Sequence, residues 1–407
     1  MERECLSVKA IALACAKPGS TAAKRFGSRQ HLGKRSRQRG DSRGLVLKKL
    51  AHLARGVIVN SYGTATLTLL ALIVLSSTAV LGQVVPSGVD TIDLDQQLDI
   101  PLNNGLQGEE RNQADLLLRL GGQAQRRGFF DKAIANWLQA LDIYQRIGDF
   151  QAVGLTYEYL GVAYAKLGRY EKSEDALRRR VGLARSQEDF QGQISGLNNL
   201  GTVFLQSRNL KAARETFTEA LKISRSVNSQ QGEGLSLSNL GLVAANEGNY
   251  FEAIKRYENA LTLRIQTGDP VGEANTRNNL GDAYRAVNNP REASISYQGA
   301  LRLAQSSLDV SSEFRALRGL AQSYIAREEY LAALNVLEQH MALARKEKNL
   351  DEELFSLRFY AHAYQGAGNF LNARNFYEQA IALAGVLGDT QQQALLRNDL
   401  AQMIYSP

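Results

Sequence analysis

The chain has 407 residues, of which 44% are hydrophobic, so it has enough apolar content for a large core or several small ones. This composition excludes a disordered chain, and six prolines and 35 glycines exclude a collagen-like fibre. The net charge of +7 is uneven: residues 1–82 carry 14 Lys/Arg and three acids, and the remainder carries 34 bases and 38 acids. A mildly acidic body argues against nucleic-acid binding.

The first part of the chain is predicted to be a targeting region. Residues 1–55 are interpreted as a basic, disordered leader, and residues 56–82 as a signal peptide cleaved before Gln83. The apolar stretch Thr64–Leu81 is 18 residues long, so an uncleaved transmembrane anchor remains the alternative. Both interpretations place the rest of the chain outside the cytoplasm, as a secreted, periplasmic, lumenal or membrane-anchored protein. Residues 83–110 are predicted to be a flexible acidic linker.

A leader of 55 residues is long for a secretory signal. A downstream start site or an organelle transit sequence therefore stays open. Both cysteines, Cys5 and Cys15, fall in this leader, so the exported body would carry no thiol.

From residue 111 onward the sequence repeats every 40 residues. A Leu-Gly pair marks the first half of the clearest copies: Leu160-Gly161, Leu200-Gly201, Leu240-Gly241 and Leu280-Gly281. An Ala-Leu pair marks the second half: Ala140-Leu141, Ala220-Leu221, Ala260-Leu261 and Ala300-Leu301. Apolar residues three and four positions apart form one helix face, and Gly128, Gly168, Gly248 and Gly368 interrupt this pattern in the middle of their units. Each unit is therefore predicted to be two antiparallel helices of about 17 residues, which must stack on neighbouring units to bury their apolar faces.

This pattern resembles the tetratricopeptide repeat. The second copy carries the family's key positions as Tyr157, Leu160, Gly161, Tyr164, Gly168 and Tyr170. The period of 40 residues, rather than 34, is similar to the long repeats of kinesin light chain and of the mitotic-spindle adaptor LGN. The resemblance implies an all-α domain over residues 111–405: a right-handed α-solenoid of seven helix-turn-helix repeats and a capping helix at 391–405.

The seven copies are predicted at 111–150, 151–190, 191–230, 231–270, 271–310, 311–350 and 351–390. Copies two and six depart from the pattern in their second helices, through Ser173, Leu177, Arg180 and Leu337. Looser packing is expected at those joints. The run Arg178–Arg180 is interpreted as a solvated helix end, with contact to membrane headgroups as the alternative.

The resemblance also implies a concave groove, lined by the first helices, that binds an extended peptide. Its inner edge carries Asn199, Asn239 and Asn279, preceded in two copies by Asn198 and Asn278. A primary amide both donates and accepts, so such a ladder can pair with a peptide backbone. The alternative, that these amides fix the stack of helices, stays open.

Arginines accumulate along the groove of copies five to seven. They are Arg285, Arg315, Arg318 and Arg358. Guanidinium groups bind carboxylates, so an acidic or carboxylate-ended peptide is the predicted ligand. A solvated face neutralised by Glu313, Glu352 and Glu353 is the alternative.

No catalytic, cofactor or metal-binding motif is recognised in the sequence. The body has two histidines, His340 and His362, which are interpreted as a surface and a groove residue. The predicted function is a non-catalytic scaffold that binds an acidic peptide segment in the groove. The alternatives are an assembly or regulatory factor that binds a folded client outside the groove, and a small-ligand or metal-binding protein.

Overall fold

The computed structural model describes residues 108–405, so the predicted leader, the apolar stretch and residues 83–107 of the linker lie outside the described residues. The regular structure in this range is entirely α-helical. The first helices of the seven repeats are α1 (Glu109–Arg126), α3 (Phe150–Lys166), α5 (Phe190–Gln206), α7 (Gln230–Asn246), α9 (Pro270–Ala286), α11 (Val310–Ala326) and α13 (Leu350–Gly366). The second helices are α2 (Phe130–Arg146), α4 (Tyr170–Ser186), α6 (Leu210–Ser226), α8 (Tyr250–Thr267), α10 (Pro290–Ser307), α12 (Tyr330–Lys346) and α14 (Phe370–Val386), and α15 (Thr390–Tyr405) follows them.

Helix starts and stops follow local chemistry. Asp149, Asp189, Asp269 and Asp309 each accept a hydrogen bond from a backbone N–H in the first turn of the helix they precede. At the other end, Gly268 closes α8 with a left-handed backbone, at φ 65°. The predicted all-α architecture of paired helices is confirmed.

Glycine within the helices lets neighbouring backbones approach closely. A Cβ on Gly241 would lie 2.5 Å from the ring of Tyr257, and a Cβ on Gly201 would lie 2.5 Å from Phe217. Both rings are almost completely buried. In these repeats the Leu-Gly pair and the aromatic residue of the second helix therefore form one packing unit of the core.

Consecutive helices pack against each other throughout the described range, and the first helices of successive repeats also contact one another from α3 to α13. This places the first helices on the inner side of the array and the second helices on the outer side. Within residues 108–405 no helix is long and apolar enough to cross a bilayer.

The side chains that replace the usual aromatic residue in copies two and six are buried, and the expected looser packing at these joints stays a prediction. Leu177 and Leu337 are completely buried, and the Ser173 hydroxyl donates to the carbonyl oxygen of Gly161 at 2.6 Å. Smaller or branched side chains replace the usual aromatic residue here, and the neighbouring helices close around them.

Candidate partner-binding groove

The three asparagines of the predicted ladder form hydrogen bonds within the array. The amide of Asn199 donates to Glu158 at 2.8 Å, and the amide of Asn239 donates to Asn198 at 2.9 Å. Asn279 accepts from Arg315 at 2.5 Å. Each bond joins the first helices of two successive repeats. The stack-fixing role is therefore present in the structure, and contact with a ligand stays a prediction for these residues.

Asn198 and Asn278 lie inside the stack. Their exposed fractions are 2% and 0%. The amide of Asn198 donates to the Ser236 hydroxyl at 3.1 Å, and that of Asn278 donates to the carbonyl oxygen of Ser312 at 3.2 Å. The structure thus places these two predicted groove residues between helices, where their amides connect neighbouring repeats instead of lining an open surface.

A buried ion network occupies the joint between copies two and three. Arg180, on α4, donates to Glu158 and to Asp189, each at 3.1 Å. Glu158 is 2% exposed, and burial raises the pKa of its carboxyl although Arg180 opposes the shift. The interpretation of Arg178–Arg180 as a solvated run thus fails at Arg180. Arg178 and Arg179 are exposed and pair with acids four residues earlier.

Three glycines make room for this network, and they are the sequence signal that could have indicated it. A Cβ on Gly192, Gly154 or Gly196 would lie 2.0, 2.9 or 3.1 Å from Arg180. Arg180 occupies the position that Ala140 and Ala220 occupy in the neighbouring copies. A long cationic side chain at a position that other copies fill with alanine, and close to several glycines, indicates a buried guanidinium.

Asp282 forms ion pairs with two of the four predicted groove arginines. Arg315 donates to it at 2.7 Å, and Arg285 lies 3.9 Å away. The hydroxyl of Tyr297 also donates to Asp282. Much of the positive charge of Arg285 and Arg315 is therefore compensated inside the array.

The other two arginines lie on a pair of stacked rings. Phe355 and Phe359, both on α13, have ring centroids 4.3 Å apart and are half-buried. Arg318 lies 5.9 Å above the Phe355 ring, and Arg358 lies 5.2 Å above the Phe359 ring. We call these four residues the Arg-Phe patch. Such contacts hold a guanidinium flat on an aromatic face and leave its N–H edges available.

The two arginines of the patch differ in whether an acidic side chain lies near them. The Nε of Arg318 is 3.7 Å from a carboxylate oxygen of Glu352. Over residues 108–405, Arg358 has neither an ion pair nor a hydrogen bond, and its buried Nε has no acceptor. Arg358 is thus the predicted groove arginine whose charge the array leaves uncompensated.

Sequence reasoning missed the two phenylalanines, although the 40-residue period marks them. Phe359 stands at the inner-edge position of Asn199, Asn239 and Asn279, and Phe355 stands 40 residues after Arg315. A register comparison across all seven copies would have found both.

The two histidines do not form a metal site in the structure. His340 is completely buried, not on the surface as predicted, and its ring nitrogens lie 2.7 Å from the Ser356 hydroxyl and 3.2 Å from Glu352. His362 lies 4.0 Å from Asp399; burial, together with nearby Arg358, lowers the pKa of its imidazole. In the described part of the chain, no three metal-ligating side chains come together.

Comparisons with known proteins agree with the repeat pattern. Family models described as tetratricopeptide repeat match residues 112–186, 194–227, 233–306, 316–351 and 359–385, more than half of the chain. A search of curated proteins gives no significant match.

Solved structures similar to this chain have low sequence identity to it. A signal transduction ATPase with a tetratricopeptide repeat sensor from Pyrococcus horikoshii is 19% identical over 70% of this chain, with a TM-score of 0.57; the chain covers 44% of that protein's length. A putative kinesin light chain from Podosopora anserina is 21% identical over 48% of this chain and 96% of its own, with a TM-score of 0.43. The repeat register, the paired helices and the matching family models together show that the chain belongs to the tetratricopeptide repeat family.

Proposed function

We propose that the protein is a non-catalytic interaction scaffold whose inner surface in copies five to seven binds an extended, acidic segment of a partner protein. The observation that carries this proposal is Arg358, a groove guanidinium held on the Phe359 ring and without an acidic partner in residues 108–405. A partner carboxylate would supply the missing countercharge, and a bidentate pair is the strong geometry for it.

The four arginines contribute unequally to this proposal. Arg318 can share its charge between Glu352, at 3.7 Å, and a ligand. Arg285 and Arg315 are held by Asp282 and would contribute mainly through the field of the groove. The half-buried rings of Phe355 and Phe359 add apolar contact area beside the charges. The ligand segment would therefore place a carboxylate over the Arg-Phe patch.

The test is a fluorescence-anisotropy titration of the full-length chain with a series of extended peptides that differ only in their number of Asp residues. We expect affinity to rise with Asp content and to fall about tenfold in Arg358→Gln, as the loss of one charge-assisted hydrogen bond predicts. Arg374→Gln is the matched control, since Arg374 is an exposed arginine of α14 paired with Glu378. Affinity independent of Asp content, or equal in wild type and Arg358→Gln, would refute the proposal.

We further propose that the array functions outside the cytoplasm, either free or tethered. The support is the order of basic, apolar and small residues over 1–82, which lies outside the described residues.

A further inference from the structure

The first helix of the array, α1, has two exposed leucines at positions that are buried in the later repeats. Leu116 is 49% exposed, and Leu120, one turn later, is 40% exposed. In copies two to seven the position of Leu116 is buried and carries a small residue: Thr156, Gly196, Ser236, Thr276, Ala316 and Ser356. A Cβ on Gly196 would lie 2.9 Å from Val181 of α4, so this position faces the second helix of the preceding repeat.

Copy one has no preceding repeat within residues 108–405, so this face of α1 is the end face of the described array. The end face of a solenoid is ordinarily polar, because it meets water instead of a neighbouring repeat. Here Leu116 and Leu120 lie one turn apart on that face. Neighbouring exposed leucines at this place indicate a surface that another protein covers.

The residues around the two leucines complete a coiled-coil seam. Exposed residues follow one another along α1 and its C-cap at alternating intervals of four and three: Glu109, Gln113, Leu116, Leu120, Gln123 and Arg127. This is the spacing of the a and d positions of a heptad repeat, and it forms one narrow stripe along the helix. We call these six residues the α1 seam, and its spacing suits packing against a second helix.

The order of residues in the α1 seam is self-complementary. In an antiparallel pair of α1 helices centred midway between Leu116 and Leu120, each of these leucines lies opposite the other leucine of the second copy. The same register sets Gln113 opposite Gln123, and it sets an a position opposite a d position throughout. A second copy of this chain therefore presents matching residues along the whole seam.

The charges at the two ends of the α1 seam select the antiparallel direction. Glu109 and Arg127 are exposed, and neither has an ionic partner within residues 108–405. The antiparallel register sets Glu109 of each copy opposite Arg127 of the other, so the two-fold axis produces this pair at both ends. A parallel pair would set like charges opposite each other, which is unfavourable.

We propose that the chain forms a two-fold symmetric dimer in which α1 packs antiparallel against α1 of a second copy. Leu116 and Leu120 of the two copies would form the centre of the contact, and the glutamines and charged residues its rim. The dimer uses no residue of the Arg-Phe patch, so it does not depend on the proposed peptide binding.

Sedimentation equilibrium of the full-length chain measures the association, in a mild detergent that keeps the apolar stretch Thr64–Leu81 in solution. We expect a monomer–dimer equilibrium with a dissociation constant of about 1–100 µM, because two leucines per copy make a small contact. Leu116→Glu should raise this constant at least about tenfold, since it places two carboxylates at the centre of the contact. Leu395→Glu is the matched control and should leave it unchanged, since Leu395 is 45% exposed on α15, at the other end of the described array.

A charge exchange tests the pairing of the seam ends. Glu109→Arg should weaken the dimer, because it sets two positive charges opposite each other at both ends. The double variant Glu109→Arg/Arg127→Glu should restore wild-type association. Both substitutions disfavour α1 itself through the helix dipole, so an effect on helix stability alone would make the double variant weaker than the single one.

Cysteine cross-linking tests the register in a Cys5→Ser/Cys15→Ser background, which has no other thiol. The antiparallel register brings residue 116 of one copy opposite residue 120 of the other, whereas identical positions lie about one helical turn apart. We expect an oxidised mixture of Leu116→Cys and Leu120→Cys chains to form disulfide dimers about tenfold faster than either variant alone. The fastest cross-linking in Leu116→Cys alone would indicate a parallel pair and contradict the proposal.

Circular dichroism and thermal unfolding establish that the variants are folded. Three results would overturn the proposal: a monomeric chain at about 100 µM, equal association of Leu116→Glu and wild type, or equal losses in Leu116→Glu and Leu395→Glu. Oligomers larger than a dimer that dissociate in both variants would show a head-to-tail contact of α1 with α15. A monomer that Leu116→Glu destabilises would show that the leucines are covered within one chain, and this result also overturns the dimer.

Discussion

Arg180 shows how one substitution changes the chemistry of a repeat joint. Five copies carry Ala at this position of the second helix: Ala140, Ala220, Ala260, Ala300 and Ala380. All five are completely buried. Copy two carries Arg180 instead, and its guanidinium passes between glycines to reach Glu158 and Asp189. The joint is thus held by a buried ion network where other joints are held by close backbone contact.

We expect Arg180→Ala to destabilise the chain by about 2–4 kcal/mol at neutral pH, although Ala is the residue that most copies carry. The loss leaves the Glu158 carboxylate buried without its cation. Since burial already raises the pKa of Glu158, protonation should relieve this cost. When folding raises the pKa of an acid, the folded protein loses stability as the pH rises from the unfolded-state pKa of that acid through its folded-state pKa. The stability deficit of the variant should therefore be larger at pH 7 than at pH 5.

Urea unfolding followed by circular dichroism at both pH values measures this deficit. The double variant Arg180→Ala/Glu158→Leu is the control, because it removes the stranded carboxylate along with its partner. Its stability should exceed that of Arg180→Ala at pH 7. A deficit of the same size at both pH values would contradict the prediction.

The helices of the array end in left-handed turns at intervals of 20 residues. Half of these turn positions carry Gly, including Gly268 and Gly388, and half carry other residues with φ between 54° and 64°. Leu308, at φ 57°, is one of the latter and is 85% exposed. A branched side chain in this region is strained, because its Cβ crowds the following carbonyl oxygen.

We therefore expect Leu308→Gly to raise the free energy of unfolding by about 0.5–1 kcal/mol: relief of about 1–2 kcal/mol of strain, less the greater backbone entropy of Gly in the unfolded chain. Thermal and urea unfolding measure the change. Leu308→Ala is the control, because it removes the exposed side chain and keeps the Cβ. Equal stabilisation by both substitutions would show that exposure of the leucine, and not backbone strain, sets the effect.

The proposed peptide-contact surface lies toward one end of the array, because the Arg-Phe patch is on the inner side of copies six and seven. Each repeat of a solenoid contacts only its neighbours, so the packing of the last repeats determines the shape of this surface.

The proposed location predicts the form of the native protein. Mass spectrometry of soluble and membrane fractions should find either a soluble chain beginning near Gln83 or a membrane-bound chain that retains Thr64–Leu81. The first form would be a free extracytoplasmic scaffold and the second a tethered one. A cytoplasmic chain with an intact N-terminus would contradict the proposed location.

The fold could be predicted from the sequence because its determinants are local and repeated. The Leu-Gly pair and the aromatic residue recur at intervals of 40 residues in most copies, and each acts within one hairpin. The predicted groove arginines Arg318 and Arg358 both lie on aromatic rings of α13, over Phe355 and Phe359. Periodicity alone thus determined which helices form and which helix faces carry the candidate residues.

The compensation of charges was decided by the tertiary structure. Asp282 compensates Arg315, 33 residues away, and Glu158 compensates Arg180, 22 residues away. Such pairs depend on how neighbouring helices cross and on which rotamers their packing permits. A helical period reports only which face a residue occupies. The sequence therefore identified the groove arginines, and packing determined that Arg358 has no countercharge among residues 108–405.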